Sequence, residues 1–232
     1  MIAIGIVREF GRLIEIAESE ILEGIEDGRI ETEPSITDRF IDRIESILNQ
    51  HRGFEGVVFR ARTLRDRGAN APEAKFGADF CGVLNIKVEG FKQSKGFLSQ
   101  AKMERNGIMV NRGRRGLIIV DFPQNTEIER LDGQIDNMLA ITPDSFVIIY
   151  SNEGFVVVPA FAVRGLKTGA AVYGKPVGRF FKEYLMCFIG DHRLKAYDDQ
   201  TLENLRTRTR SRTAILLHVL SSEYIDKGII FS

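Results

Sequence analysis

Tryptophan is absent from this chain, cysteine occurs only twice, histidine three times and proline six times in 232 residues. Cys81 and Cys187 stand far apart, with no C-x-x-C spacing and no clustered histidines nearby, which excludes a disulfide scaffold and a cysteine–histidine zinc site. Both are expected as small core residues in a reducing cytoplasm. His51, His192 and His218 are single and unclustered, no Ser-His-Asp or Cys-His spacing can be argued, and a structural role is expected for each. Charge of one sign is also missing: 32 basic and 32 acidic residues cancel, so a nucleic-acid partner would have to be held by a local positive patch and not by a global field. Neither G-x-G-x-x-G nor G-x-x-x-x-G-K-[ST] occurs, and the phosphate cradles of dinucleotide and nucleoside triphosphate enzymes go with them. The apolar start Met1 to Val7 is broken at once by Arg8, Glu9, Arg12 and Glu15, which leaves no secretory h-region and no span for a bilayer. A cytoplasmic protein with no membrane partner is the expectation.

What is present is the composition of a globular protein, 44% hydrophobic and 28% charged, enough to form one core with appendages. Ile2, Ile6, Phe10, Leu13, Ile14, Ala17, Ile21 and Ile25 recur at three- and four-residue steps and predict an amphipathic helix to about Gly28. Pro34 suits a first helical turn, and Ile36, Phe40, Ile41, Ile44, Ile47 and Leu48 continue a second helix that His51-Arg52-Gly53 ends. Three strand-like runs follow, Phe54 to Leu64, Asp79 to Val88 and Gly96 to Lys102, and suggest an antiparallel meander. After a basic loop, Gly116 to Phe122 reads as a short strand. Glu127 to Leu139 reads as a helix with Ile128, Leu131, Ile135, Met138 and Leu139 inward, stopped by Thr142-Pro143-Asp144.

Phe146 to Tyr150 and Phe155 to Val158 flank Ser151-Asn152-Glu153-Gly154, a hairpin signal. A glycine-rich stretch then runs to Gly178, followed by predicted helices over Arg179 to Ile189 and Gln200 to Leu220. The order helix, three strands, helix, strand predicts an α/β fold with a mixed central sheet between helices. Three segments are expected: an N-terminal appendage helix over 1–30, a core over 31–165 and a C-terminal helical extension over 166–232.

Strand alternation puts Gln100 and Lys102 on one face of the third strand. If the second and third strands form a hairpin closed around Gly90 to Lys95, the start of one lies beside the end of the other, and Asp79 joins that pair. Asp79, the Gln100 amide oxygen and the Ala101 carbonyl are hard oxygen ligands of the kind Mg²⁺ or Mn²⁺ accepts, while the Lys102 ammonium can polarise an attacking water or stabilise charge on a phosphate.

On Gly77-Ala78-Asp79, Gln100-Ala101-Lys102 and the elements around them, the stretch from Glu31 to Pro159 resembles the PD-(D/E)XK nuclease superfamily, in the Q-x-K branch of Mrr-type enzymes. The resemblance implies a restriction-endonuclease-like αβββαβ core, with Asp79, Gln100 and Lys102 as the motif residues of a Mg²⁺-dependent nuclease acting on DNA, in restriction or phage defence. This sequence departs from the pattern in having Ala78 where the motif proline stands and glutamine in place of the usual acid. The resemblance further implies an assisting glutamate from the preceding helix, with Glu33 the candidate and Glu31 and Asp38 the fallbacks. It also implies substrate positioning by Gln134 on the third helix, although Met138 stands where a tyrosine is usual.

Arg105, Arg112, Arg114 and Arg115 follow Lys102 with Glu104 the only acid from Met103 to Arg115, a candidate phosphate contact. Arg206, Arg208, Arg210 and Arg212 form a second run, read either as a solvated helix surface or as a DNA track. Glu73 and Lys75, before Asp79, are either a substrate-contacting loop or a surface ion pair. Tyr150, Tyr173 and Tyr184 are expected as core or rim residues. The appended helices could form the homodimer that double-strand cleavage favours. The second functional reading is a nuclease-fold module that binds nucleic acid or a partner protein without cutting.

Overall fold

The computed structural model describes residues 2–30, 32–65, 78–104, 108–113, 117–122, 126–166, 171–221 and 223–224, without the side chains of 126–128. Glu31, Glu73, Lys75, Gly77, Arg105, Arg114 and Arg115 lie outside the described residues. The elements run α1 (Ile4–Glu26), α2 (Glu33–Gln50), β1 (Val57–Arg65), β2 (Ala78–Val88), β3 (Phe91–Met103), β4 (Met109–Arg112) and β5 (Ile118–Asp121). They continue α3 (Thr126–Leu139), β6 (Ser145–Ser151), β7 (Gly154–Pro159), α4 (Ala160–Val163), β8 (Ala171–Pro176), α5 (Val177–Leu185), α6 (Asp199–Thr209) and β9 (Ser211–Ser221). No helix of the described residues is long and apolar enough to cross a membrane.

The strands form a mixed sheet in the order β1-β9-β2-β3-β6-β7-β8-β5-β4. β9 is parallel to β2 and β6 is parallel to β3, while the other neighbouring pairs are antiparallel. Helices cover both faces, which is why Phe146 to Tyr150 and Phe155 to Val158 are near-continuous apolar runs and do not alternate with polar residues. On one side α1, α2 and α5 pack against Phe97, Ala101, Ile148 and Ile215; on the other α3, α4 and α6 pack against Leu98, Val147, Ile149 and Leu216. Phe97 centres the first layer, its ring 5.0–6.2 Å from those of Phe80, Phe146, Phe180, Phe181 and Tyr184. Gly82 lies opposite it in register, and a Cβ there would come within 2.4 Å of the Phe97 ring, so the close approach requires glycine.

Several expectations are corrected. The three-strand meander is interrupted, because β9 inserts between β1 and β2. The helix expected over Gln200 to Leu220 ends at Thr209: a capping box at Asp198 starts α6, Arg210 turns the chain with φ of 53°, and the rest is β9. Thr213 to Leu220 is buried on both faces, and a continuous apolar run of that length does not by itself separate buried strand from buried helix. The 166–232 segment thus supplies two strands of the shared sheet as well as helices. β4 occupies part of the expected basic loop, β8 part of the glycine-rich stretch, and the helix expected to Ile189 ends at Leu185. The β2–β3 hairpin turns at Glu89-Gly90, where Gly90 has φ of 68°, so β3 starts five residues before the expected Gly96. Cys81 is buried as expected, whereas Cys187 is exposed in the turn after α5, with φ of 66°.

His218 sits in mid-strand on β9 between Arg60 of β1 and Asn85 of β2, 7% exposed. Burial, with the Lys87 charge adding to it, pushes its imidazole down to about 4. Below the ordinary value near 6.5 the unfolded chain takes up the proton and the folded one does not, so stability is lost as pH falls from 6.5 toward 4. The loss should reach on the order of 3 kcal/mol at one residue. Thermal denaturation of wild type and His218→Leu across that window is expected to show a steeper acid decline in the wild type, and parallel curves would contradict it.

Candidate functional site

One end of the sheet gathers the start of β2, the end of β3, the start of β9, the end of β1 and the first turn of α2. Asp79 is the second residue of β2, and the register Phe80↔Ser99 sets it opposite Gln100 one step further along. Its Oδ2 accepts the Ala101 backbone N–H at 2.7 Å and an N–H from the Gln100 side-chain amide. Lys102 follows on the same face of β3, with Nζ 3.7 Å from Glu33 Oε2 and both side chains largely buried. The structure therefore brings together Asp79, Gln100, Ala101, Lys102 and Glu33.

α2 places Glu33 there for local reasons. The Thr32 hydroxyl accepts the Ser35 N–H at 3.4 Å as N-cap, Pro34 fixes the first turn, and Ile36, Thr37, Phe40, Ile41, Ile44 and Leu48 bury the inward stripe. Thr37 donates to the Glu33 carbonyl at 2.9 Å and meets the Tyr150 hydroxyl at 2.8 Å. The Tyr150 phenol is pushed up by burial and stays protonated as a donor, a core role consistent with the expectation for that residue.

Burial raises the Asp79 carboxyl above the usual carboxylate range, against the Ala101 N–H and the positive charges of Arg212 and Lys102; Glu33 adds to the rise. A further positive charge beside this buried acid would offset the cost of its desolvation. Gln100 Oε1 is a buried acceptor with no hydrogen-bond partner among the described residues, a costly state for an amide oxygen. Asp79, Gln100 and the Ala101 carbonyl are thus a donor set suited to Mg²⁺ or Mn²⁺, with Glu33 as a further oxygen. Gln100 presents its amide nitrogen to Asp79, so ligation through its oxygen requires the amide to turn over. Among the described residues no group of three or more His, Cys, Asp or Glu could hold a metal ion.

The other candidates are placed elsewhere. Asp38 does not face Lys102 and lies against Arg65 and Arg212. Gln134 is partly buried on α3, beside Leu131, Ile135 and Met138, with its Oε1 buried and without a hydrogen-bond partner among the described residues. Arg112 is committed to the β6–β7 hairpin, donating to the Gly154 carbonyl at 3.1 Å and pairing with Glu153 at 3.4 Å. The second arginine run is not one helical face: Arg206 pairs with Glu203, Arg208 donates to the Arg193 carbonyl, Arg210 caps α6 and Arg212 is the second residue of β9. Sequence reasoning missed Arg65 and Arg212 as neighbours of the site. The apolar run after Arg212 reads alike as buried strand or buried helix, so no local signal marked them. No family model matches this chain, and no curated protein and no solved structure matches it.

Proposed function

We propose that this chain is a Mg²⁺-dependent nuclease hydrolysing phosphodiester bonds in DNA, on a sheet and helix arrangement of the restriction-endonuclease-like type. The observation that carries the reading is the convergence of the Asp79 carboxylate, the Gln100 side-chain amide and the Lys102 ammonium at one sheet end. A divalent ion held by Asp79, Gln100 and the Ala101 carbonyl would supply Lewis-acid charge for the phosphate and an acidified water. Lys102 orients the attacking water and stabilises charge growing on the phosphate oxygens. Glu33, near Lys102, keeps that ammonium aimed and adds negative charge to the ligand set. The second reading, a module that binds without cutting, is supported by the Gln100 amide already satisfying Asp79 without a cation.

Incubating the chain with supercoiled DNA decides between them. Nicking or linearisation that requires Mg²⁺ or Mn²⁺ and stops with chelator is expected; DNA bound but intact with either metal would favour the binding module. Asp79→Asn is expected to lower the cleavage rate at least about 100-fold by removing the charged ligand. Because it also removes an incompletely compensated buried charge, it should leave stability within about 1 kcal/mol of wild type or raise it. A variant that cuts normally, or that unfolds, would contradict this.

A further inference from the structure

An oxygen at a helix N-terminus is useful to a reaction only if the helix cannot slide or roll. Glu33 is not fixed by its own ion pair, since 3.7 Å to Lys102 is long for a charge-assisted hydrogen bond. It is fixed through its helix, by ties from three strands. Tyr150 of β6 meets Thr37, and Arg65 of β1 donates to the Asp38 carbonyl at 2.8 Å and to Asp42 Oδ1 at 2.5 Å. Arg212 of β9 donates from Nη1 to Asp38 Oδ2 at 3.1 Å and from Nη2 to the Pro34 carbonyl at 3.4 Å.

The Arg212 tie differs from the other two. Its two donors grip positions four apart, one full turn, and one of them is the residue next to Glu33. Its backbone belongs to the strand paired with β2, where Ala78↔Ser211 and Phe80↔Thr213 set Arg212 beside Asp79. A single side chain therefore links the strand neighbouring Asp79 to the turn that carries Glu33. Its Nε, like that of Arg65, is buried with no hydrogen-bond partner among the described residues.

We infer that Arg212 is a positioning residue for the reaction proposed above, holding the first turn of α2 so that Glu33 stays beside Lys102. The inference rests on the nuclease reading. The guanidinium is already engaged by Asp38 and Pro34, so it acts through the helix and does not grip a phosphate of the substrate.

The test is cleavage kinetics with Mg²⁺ on wild type, Arg212→Ala, Arg212→Lys, Asp38→Asn, Glu33→Gln and the Arg212→Ala/Glu33→Gln double variant. Arg212→Ala is expected to lower kcat about 10- to 100-fold, the scale of a misplaced group, with KM for DNA and the salt dependence of DNA binding unchanged. Arg212→Lys should recover part of the loss, Asp38→Asn should reproduce it, and the double variant should be no slower than Glu33→Gln alone. Hydrogen exchange at the Thr37 and Asp38 amides should speed up in Arg212→Ala while Ile47 and Leu48 stay protected.

The inference is overturned if KM rises with a shallower salt slope, which marks a direct phosphate contact. It is equally overturned if the Arg212 and Glu33 losses multiply, or if kcat is unchanged. Should Arg212→Ala not fold, Arg212→Lys and Asp38→Asn carry the same comparison. A wild-type chain that cuts nothing with either metal sinks the nuclease reading and this inference with it; a cutting wild type with an unaffected Arg212→Ala variant sinks the inference alone.

Discussion

Lys102→Ala is expected to reduce Mg²⁺-dependent cleavage about 10²- to 10⁴-fold, the range seen when one positioned charge or proton-handling group is removed from a reacting centre. The loss should fall on kcat, because the ammonium acts on the attacking water and on charge present only in the transition state. Folding should survive, since the Lys102–Glu33 pair spans 3.7 Å at the rim of the sheet and no other polar contact of Lys102 is found among the described residues. A melting temperature within a few degrees of wild type, measured beside the cleavage rate, separates lost chemistry from lost structure. A variant that keeps its rate would remove Lys102 from the reaction and leave the binding module as the better account.

The largest effect on stability is expected from a different lysine. Lys95 of β3 is fully buried, with Nζ donating at 2.5 Å to the carbonyls of Tyr184 and Ile189 and lying 4.8 Å from the centre of the Tyr184 ring. It fastens the end of α5 and the turn beyond it to the sheet, and the Tyr184 hydroxyl reciprocates by donating to the Lys95 carbonyl at 2.8 Å. Burial pushes the ammonium below its ordinary value, so the contact comes at a desolvation cost that its two carbonyl partners offset. Lys95→Ala leaves the Ile189 carbonyl without its donor, strips the Tyr184 carbonyl to the Cys187 N–H at 3.2 Å and opens a cavity, for an expected loss of about 4 kcal/mol. For a chain of this size that lowers the melting temperature by roughly 10 °C. Lys95→Met fills the space but not the hydrogen bonds and should cost about half as much. If the alanine variant melts with the wild type, Lys95 is not the anchor of α5 described here.

Much of the architecture could be read from local spacing. The stripes of α1, α2 and α3, the Pro34 start and the Ser151 to Gly154 turn are properties of neighbouring residues, and each element formed within a few residues of its expected place. Asp79, Gln100 and Lys102 were legible together for the same reason: one hairpin and one two-residue period put them side by side. β9 was not legible, because its place between β1 and β2 depends on pairing with residues more than a hundred positions away. A buried run such as Thr213 to Leu220 looks alike as strand or helix until those partners are known. With β9 misread as helix, Arg212 became one of four arginines on a supposed surface and its tie to Asp38 could not be foreseen. Cys187 shows the same limit, since its exposure follows from the turn after α5 and not from its chemistry.

Mn²⁺ titration of the isotope-labelled chain, followed by paramagnetic broadening of its amide resonances, tests the metal assignment most directly. Broadening is expected first at Asp79, Gln100 and Ala101, then at Glu33 and Lys102, and it should vanish in Asp79→Asn while the spectrum stays folded. Broadening centred elsewhere on the chain, or unchanged by Asp79→Asn, would contradict a divalent ion held at this sheet end.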